Sequence, residues 1–477
     1  MNDKIPLQDI DLPDDAVLHV EPEVYDLYKK REQIYTRKIT GFFQKIRLFT
    51  GWPLLLGYFL LPWINWGTRQ AVFFDLPSRQ FHIIGLTFWP QDFILLAALL
   101  IISAFALFTI TTWLGRVWCG YTCPQTVWTS IFMWAEQVTE GNRNTRIKLD
   151  QDVWSVNKII RKIAKHTLWI GIALLTGLTF VGYFSPIREL LPNMLAFNLG
   201  NWEIFWIVFF TGATYGNAGW LREQVCMYMC PYARFQAAMF DGDTLVVSYD
   251  PERGESRGAR KKDIDYQAEG LGDCIDCQMC VQVCPVGIDI RDGLQYECIN
   301  CALCIDACDE IMDKMEYPKG LIKYTTENRL QHKQEHSLLR PKLLGYGAAL
   351  ALMLTVFSVA IITRTPLQID VLRDRGVLYH TTVEGMIENS YTLKVLNMSQ
   401  ATQRYQVTIV GIDGLLLLGN SAFEVAAGKR TEVVLRAQID PALLPNVNTP
   451  VELIVTTADN STLVSEETRF IGPHIRY

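Results

Sequence analysis

The stretch CIDCQMCVQVCP, residues 274–285, is matched in spacing by CINCALCIDACD, residues 298–309. Both read C-x-x-C-x-x-C-x-x-x-C, the spacing that lets a tight loop present three thiolates to one iron–sulfur cube and send the fourth to a neighbouring cube. In that crossed pattern Cys274, Cys277, Cys280 and Cys308 hold one [4Fe-4S] centre, and Cys298, Cys301, Cys304 and Cys284 hold the other. Disulfides suit small secreted domains and zinc needs only paired C-x-x-C units, so neither explains two four-cysteine runs in a segment that charge places in the cytosol. One departure stands out. Pro285 follows the first run in the usual way, whereas Asp309 follows the second, so an unusual potential is expected of that cluster.

The remaining four of the twelve cysteines lie upstream in two pairs. Trp113, Leu114, Cys119, Tyr121, Cys123 and Pro124 match Trp220, Leu221, Cys226, Tyr228, Cys230 and Pro231 at one constant offset, an internal duplication of a C-x-x-x-C-P motif. Residues four apart share a helix face, so each pair can chelate one soft metal ion. Cys and Met also bury readily as pliable fillers at a helix boundary. Two identical motifs favour metal for the cysteines, and copper(I) or another soft metal is the expected ion; the interleaved Met227 and Met229 are read as packing.

Length and composition set the frame. A chain of 477 residues with 13 Trp, 20% charged residues and a mean hydropathy of +0.12 fits a membrane protein carrying substantial soluble parts. Residues 48–68, 93–114, 167–187, 204–221 and 343–363 carry no charged side chain over about the length a bilayer requires, and read as five spans. A sixth uncharged stretch, 118–135, holds the first C-x-x-x-C-P motif. Counting it as a span would put the basic cluster Arg143 to Lys165 outside, against the positive-inside tendency, as Lys29, Lys30, Arg31, Arg37, Lys38, Lys45 and Arg47 precede the first span. Pro124 onward therefore reads as a helix at the cytoplasmic interface. The acidic N-terminus lacks an apolar core, so no cleaved signal peptide is expected.

The expected fold is a membrane α-helical bundle of five spans with a cytoplasmic two-[4Fe-4S] ferredoxin-like α+β insert and a C-terminal all-β immunoglobulin-like sandwich. Its parts are a cytoplasmic segment 1–44, a four-span core 45–222, a ferredoxin-like domain 223–341, a fifth span 342–364 and a periplasmic domain 365–477. The sandwich reading rests on alternating stretches at 367–373, 391–396, 405–410, 431–436, 451–456 and 462–470, with turns at Asp413-Gly414 and Ala427-Gly428. Residues 250–272, charged and glycine-containing, read as a linker or extended loop, and Arg253, Arg257, Arg260, Lys261 and Lys262 within it as positive-inside charge rather than a donor-docking patch. Of seven histidines, His19, His82, His166, His332, His336, His380 and His474, only His166 borders a span, so a membrane haem is not expected.

This combination resembles the FixG/CcoG-type cytochrome c oxidase accessory proteins, over nearly the whole chain; the four-span core with its ferredoxin segment is also similar to NapH-type quinol dehydrogenase subunits, but span five and the sandwich favour the former. The resemblance implies a bacterial inner-membrane protein that reduces copper(II) to copper(I) for assembly of a cbb3-type oxidase. Cys274, Cys277, Cys280, Cys284, Cys298, Cys301, Cys304 and Cys308 match the cluster ligands, and Cys119, Cys123, Cys226 and Cys230 the membrane motifs that take copper. The expected partners are the membrane, an oxidase subunit or a copper chaperone or transporter, and a cytoplasmic electron donor. No nucleic-acid partner is expected, and self-association is left open. A quinol-oxidising subunit and a non-enzymatic metal-binding scaffold are the alternatives.

Overall fold

The computed structural model of the chain describes residues 33–473, apart from 263, 264, 267, 332–339, 375 and 460–462. The expectations for Lys29, Lys30, Arg31, His19, His332, His336, His474 and Thr462 fall outside those residues.

Three helices among the described residues are long and apolar enough to cross a membrane: Pro90–Leu114, Val156–Val181 and Pro341–Ile362. They take up the second, third and fifth charge-free runs. The other two runs behave differently. The first becomes α1 (Phe42–Leu60), which contains Pro53 and ends well short of residue 68; a turn through Pro62 then leads into a short hairpin pairing Asn65 with Gln70. Next come α2 (Phe93–Leu114), α3 (Val117–Tyr121), α4 (Pro124–Glu140), α5 (Val156–Val181) and α6 (Asn201–Thr214). The fourth run is thus only partly α-helical: beyond Thr214 it widens into π-type turns over Tyr215–Leu221. Helices α7 (Pro231–Met239), α8 (Met279–Val283), α9 (Leu303–Met315) and α10 (Pro341–Ile362) complete the set used below.

Small residues let the spans meet closely. Gly177 on α5 faces α6 so tightly that a Cβ there would stand 2.8 Å from the carbonyl oxygen of Ile207, the close backbone approach expected where helices pack in lipid. Helix α4, the stretch read as a helix at the cytoplasmic interface, packs along α5 and the π-type turns. Phe132 and Ala135 are wholly buried with Trp169, Ala173 and Ala218, and the Trp169 indole N–H donates to the Phe132 carbonyl at 3.1 Å. Its acidic end is held in place by ion pairs. Glu136 pairs with Arg146 at 2.9 Å and Arg222 at 2.5 Å, and Glu140 with Lys162 at 2.9 Å and Lys165 at 3.0 Å, so the carboxylates are buried with partners. Removing one member of such a group leaves the others buried and unpaired. Glu136→Ala, which strands two arginines, is expected to cost about 3–5 kcal/mol, read as a lower unfolding temperature of the detergent-solubilised protein.

Outside the bundle, β1 (Val72–Asp75), β2 (Gln80–Ile83) and β3 (Leu86–Phe88) form an antiparallel meander. In the iron–sulfur segment β4 (Val246–Tyr249) pairs antiparallel with β5 (Ile322–Thr325) and packs against α8 and α9. The stretch read as a linker or extended loop is a loop bound across this unit. Arg253 bonds Asp273 and the Pro318 and Lys319 carbonyls, Arg260 donates to the Gly272 carbonyl at 2.6 Å and lies on the Tyr266 and Tyr317 rings, and Lys262 meets Glu316 at 2.5 Å. Arg253 and Arg260 brace the domain, while the Lys262–Glu316 pair lies exposed.

The C-terminal sandwich comprises β6 (Leu367–Arg373), β7 (Ile387–Asn397), β8 (Gln403–Val410), β9 (Leu416–Gly419), β10 (Ala422–Val425), β11 (Arg430–Ile439), β12 (Asn448–Thr457) and β13 (Leu463–Ile471). One antiparallel sheet runs β9-β11-β7-β6, with a short bridge at His380–Thr381, and the other β10-β8-β12-β13. Alternate residues of facing strands, such as Leu393, Leu435, Leu453 and Phe470, are fully enclosed between them. Gly414 and Gly428 hold the positive φ values, +83° and +64°, that the two turn signals require.

The two soluble units sit at opposite ends of the helices. At one end the Asp306 carboxylate on α9 accepts from the N–H groups of Phe43 and Gln44, capping α1 from another domain. At the other, Gln80 donates to the Gly428 carbonyl at 3.1 Å, Gln400 to Thr87 at 2.8 Å, and Arg364 pairs with Asp92 at 2.5 Å, which ties the meander to the sandwich.

Candidate functional site

The two cysteine runs share a backbone device. Asp276 and Gln278 flank Cys277 with φ of 51° and 54°, and Asn300 and Ala302 flank Cys301 with φ of 53° and 58°. Left-handed non-glycine residues are costly and persist where the surroundings impose them, typically at functional sites. Here they curl each loop around its three leading sulfurs. The helices that follow differ. Helix α8 stops at Val283, so Pro285 is accommodated, whereas α9 continues through Cys308 to Met315, and a proline at 309 would break it. Asp309 accepts instead from the Gly320 N–H at 3.1 Å, tying the helix to the loop before β5.

Each loop closes one side of a void. Cys274, Cys277, Cys280 and Cys308 line one pocket with Ile275, Met279, Ile311, Met312, Leu321 and Ile322. Cys284, Cys298, Cys301 and Cys304, joined by Cys280, line a second with Val247, Val286, Ile288, Ile290, Ile299 and Leu303. The fourth cysteine of each run thus lines the void of the other run. No three His, Cys, Asp or Glu side chains among the described residues converge tightly enough for a single metal ion; in each cysteine site the sulfurs stand around a pocket. Burial pushes the thiols of Cys280 and Cys298 up to about 11 and those of Cys284 and Cys308 up to about 12, with neighbouring sulfurs adding to the rise. Four thiolates in an apolar cage need positive charge among them, which iron supplies, so deprotonation and cluster binding are one event. The residues fit a four-iron cube in each void.

The C-x-x-x-C-P duplication extends to the backbone. Span α2 ends at Gly115 with φ +61°, and the fourth run ends at Arg222, the matching position, with φ +45°. The Cys123 N–H then donates to the Trp118 carbonyl at 2.9 Å and the Cys230 N–H to the matching Val225 carbonyl at 2.8 Å, each a five-residue closure, and Pro124 and Pro231 start α4 and α7. Such π-type turns concentrate at functional sites. The four sulfurs are near enough for Cys226 to feel the charge of Cys119, Cys123 and Cys230, but here too no three of them converge tightly enough to hold a metal ion. Met229 is exposed on the surface of the chain and Met227 is half-buried. Residue spacing gave no hint of Gln236 on α7: it is wholly buried and its amide N–H lies 3.4 Å from Cys119 Sγ. His166 is bonded to the Tyr215 hydroxyl at 2.8 Å, and His82 to Thr87 at 2.9 Å.

A helical, membrane-type core joined to a two-site cysteine domain and an outer sandwich defines an iron–sulfur electron-transfer protein of the membrane. Residues 221–327 match the model of the 4Fe-4S dicluster domain, and residues 357–473 that of the IG-like fold at the C-terminal of FixG. The chain is 36% identical to the nitrogen fixation protein FixG of Rhizobium meliloti over 92% of this chain and 89% of that protein, and 38% identical to protein RdxB of Cereibacter sphaeroides over 83% and 86%. It belongs to the FixG family. A crystal structure of a FixG-related protein from Vibrio parahaemolyticus, 31% identical, covers 23% of this chain and 97% of that chain with a TM-score of 0.22.

Proposed function

We propose that this protein is a membrane cupric reductase that supplies copper(I) for assembly of a cbb3-type cytochrome c oxidase. One observation carries the reading: the first copy of the duplicated thiol motif packs, at Cys119 and Gly120, directly on the domain that holds two four-cysteine sites. When bound, [4Fe-4S] clusters supply electrons one at a time, which is what copper(II) requires. In this reading Cys274, Cys277, Cys280 and Cys308 hold one cluster, and Cys284, Cys298, Cys301 and Cys304 the other. Cys119, Cys123, Cys226 and Cys230 take copper as substrate, since thiolates favour the soft copper(I) product over copper(II). Gln236 orients Cys119 from a dry position.

The same reading places five spans in a bacterial inner membrane, formed by α1, α2, α5, α6 with its π-type extension, and α10. An odd number of crossings is supported by the soluble units standing at opposite ends of the helices. The basic residues that precede α1 and α5 put the ferredoxin unit in the cytoplasm and the sandwich in the periplasm. A cytoplasmic one-electron donor and an oxidase subunit or copper carrier are then the partners.

The test is anaerobic. Purified protein is reduced, its iron–sulfur EPR signal recorded, and one equivalent of copper(II) added while a specific chelator reports copper(I). Loss of the reduced signal matched by copper(I) supports the reading; reduced clusters that ignore copper(II) but are reoxidised by a quinone overturn it. Gln236→Leu keeps the volume and removes the amide. It is expected to weaken copper(I) binding by roughly 10- to 100-fold, as loss of an outer-shell partner does, in competition with a copper(I) chelator, with both EPR signals unchanged.

A further inference from the structure

The two kinds of sulfur site touch at one place. Gly120, inside the first C-x-x-x-C motif, lies on the backbone of the second cysteine run: a Cβ built on it would stand 2.9 Å from the Cys301 Cα and 2.7 Å from the Ile299 carbonyl oxygen. Only glycine permits that approach. Cys119, one bond along the chain, packs into the same apolar group as Ile299, Cys301 and Leu303. Arg116 is buried at the junction, donating to the Ala233 carbonyl at 2.9 Å and to that of Tyr296, and its charge reaches both Cys119 and Cys298. Beside it the Tyr121 hydroxyl lies 3.2 Å from that of Tyr324, which in turn donates to the Asn300 carbonyl at 2.5 Å. The other cage faces outward instead. Its Cys277 is exposed, whereas Cys301 is buried.

We infer that electrons leave the ferredoxin unit across the Gly120–Cys301 contact, so that the cage of Cys284, Cys298, Cys301 and Cys304 is the exit and that of Cys274, Cys277, Cys280 and Cys308 the entry. This rests on the reductase reading and gives it a direction. A one-electron donor of the ferredoxin or flavin class meets the face around Cys277. With a cluster held by Cys284, Cys298, Cys301 and Cys304, the Cys301 backbone, Gly120 and Cys119 would carry one electron onward, and one copper(II) held by thiolate would become copper(I). No atom or proton is exchanged. Because electron tunnelling decays steeply with separation, the route depends on backbone-to-backbone contact, which a side chain at 120 pries apart.

The test uses full-length, detergent-solubilised protein reduced by dithionite and freed of excess reductant. Stopped-flow oxidation is followed with two oxidants, copper(II) and ferricyanide, for the wild type, Gly120→Ala and Gly120→Val. Gly120→Val is expected to slow oxidation by copper(II) on the order of ten- to a hundredfold, as misplacement by about 1 Å does, with Gly120→Ala intermediate. Ferricyanide, which reaches the exposed cage directly, should oxidise all three at one rate. Equal copper(II) rates in the wild type and Gly120→Val overturn the route, while a wild type that reduces no copper overturns the reductase reading. A second measurement needs neither copper reduction nor the glycine variants. Cobalt(II), paramagnetic and not reduced, is added to the reduced wild type, and relaxation of the two EPR signals, assigned by their loss in Cys301→Ser and Cys277→Ser, is compared. Selective enhancement of the signal lost in Cys301→Ser supports the route. Enhancement of both alike, of the other, or of neither overturns it.

Discussion

Replacing Cys226 and Cys230 together by serine is expected to abolish copper(II) reduction while both iron–sulfur EPR signals keep their wild-type amplitude. The loss should exceed the roughly 10- to 100-fold that removal of an outer-shell partner costs a metal site, because two direct ligands disappear. Serine keeps nearly the size of cysteine but offers a hard oxygen that does not hold copper(I). The fold should tolerate the change. The turn is closed by main-chain bonding from the Cys230 N–H to the Val225 carbonyl, and α7 starts at Pro231; neither uses a sulfur. Neither residue lines either cage. The decisive pair of readings is copper(I) captured by a chelator and EPR amplitude after dithionite. Full copper(I) yield in the double variant removes these residues from the chemistry and leaves quinone reoxidation as the next assay.

What could be read in advance follows from how local the physics is. A C-x-x-C-x-x-C run is legible because one loop must place three ligands, so spacing alone carries the chemistry. The alternation at β6, β7 and β12 is legible because two buried inner faces impose a period of two. The duplication is legible as sequence, but its backbone consequence is not: Gly115 is matched by Arg222, and nothing in an arginine announces a φ of +45°. Helix α4 shows the limit of reading charge. Glu136 and Glu140 look like surface residues until Arg146, Lys162, Lys165 and Arg222, up to 86 residues away, are seen to gather on them. The strands β9 and β10 are four residues each, too short for a period to register. Gly120 is the extreme case. Its role is to be absent at the point where Cys301 approaches, and a missing side chain leaves no pattern.

Cys304→Ser and Cys277→Ser should separate the two cages by what each supports. Cys304 is set at the start of α9 among Cys298, Cys301, Cys284 and Cys280, and burial holds its thiol well above the ordinary range. A hydroxyl left there has no soft partner and cannot complete the cage. The expected result is loss of about half the iron, loss of one EPR signal and faster proteolysis around residues 297–315, since cluster binding is coupled to folding. That segment also carries Ile299 and Leu303, which pack with Ile39 and Cys119, and Asp306, which caps α1, so loosening it releases the domain from the membrane helices. Cys277 sits on the exposed rim instead. Cys277→Ser should remove the other signal and a similar share of the iron, yet leave α9 and the α1 cap as resistant to protease as in the wild type. Iron content alone would make the two variants look alike. The proteolysis pattern tells them apart, and equal protection of residues 297–315 in both would mean that the inner cage does not anchor the domain.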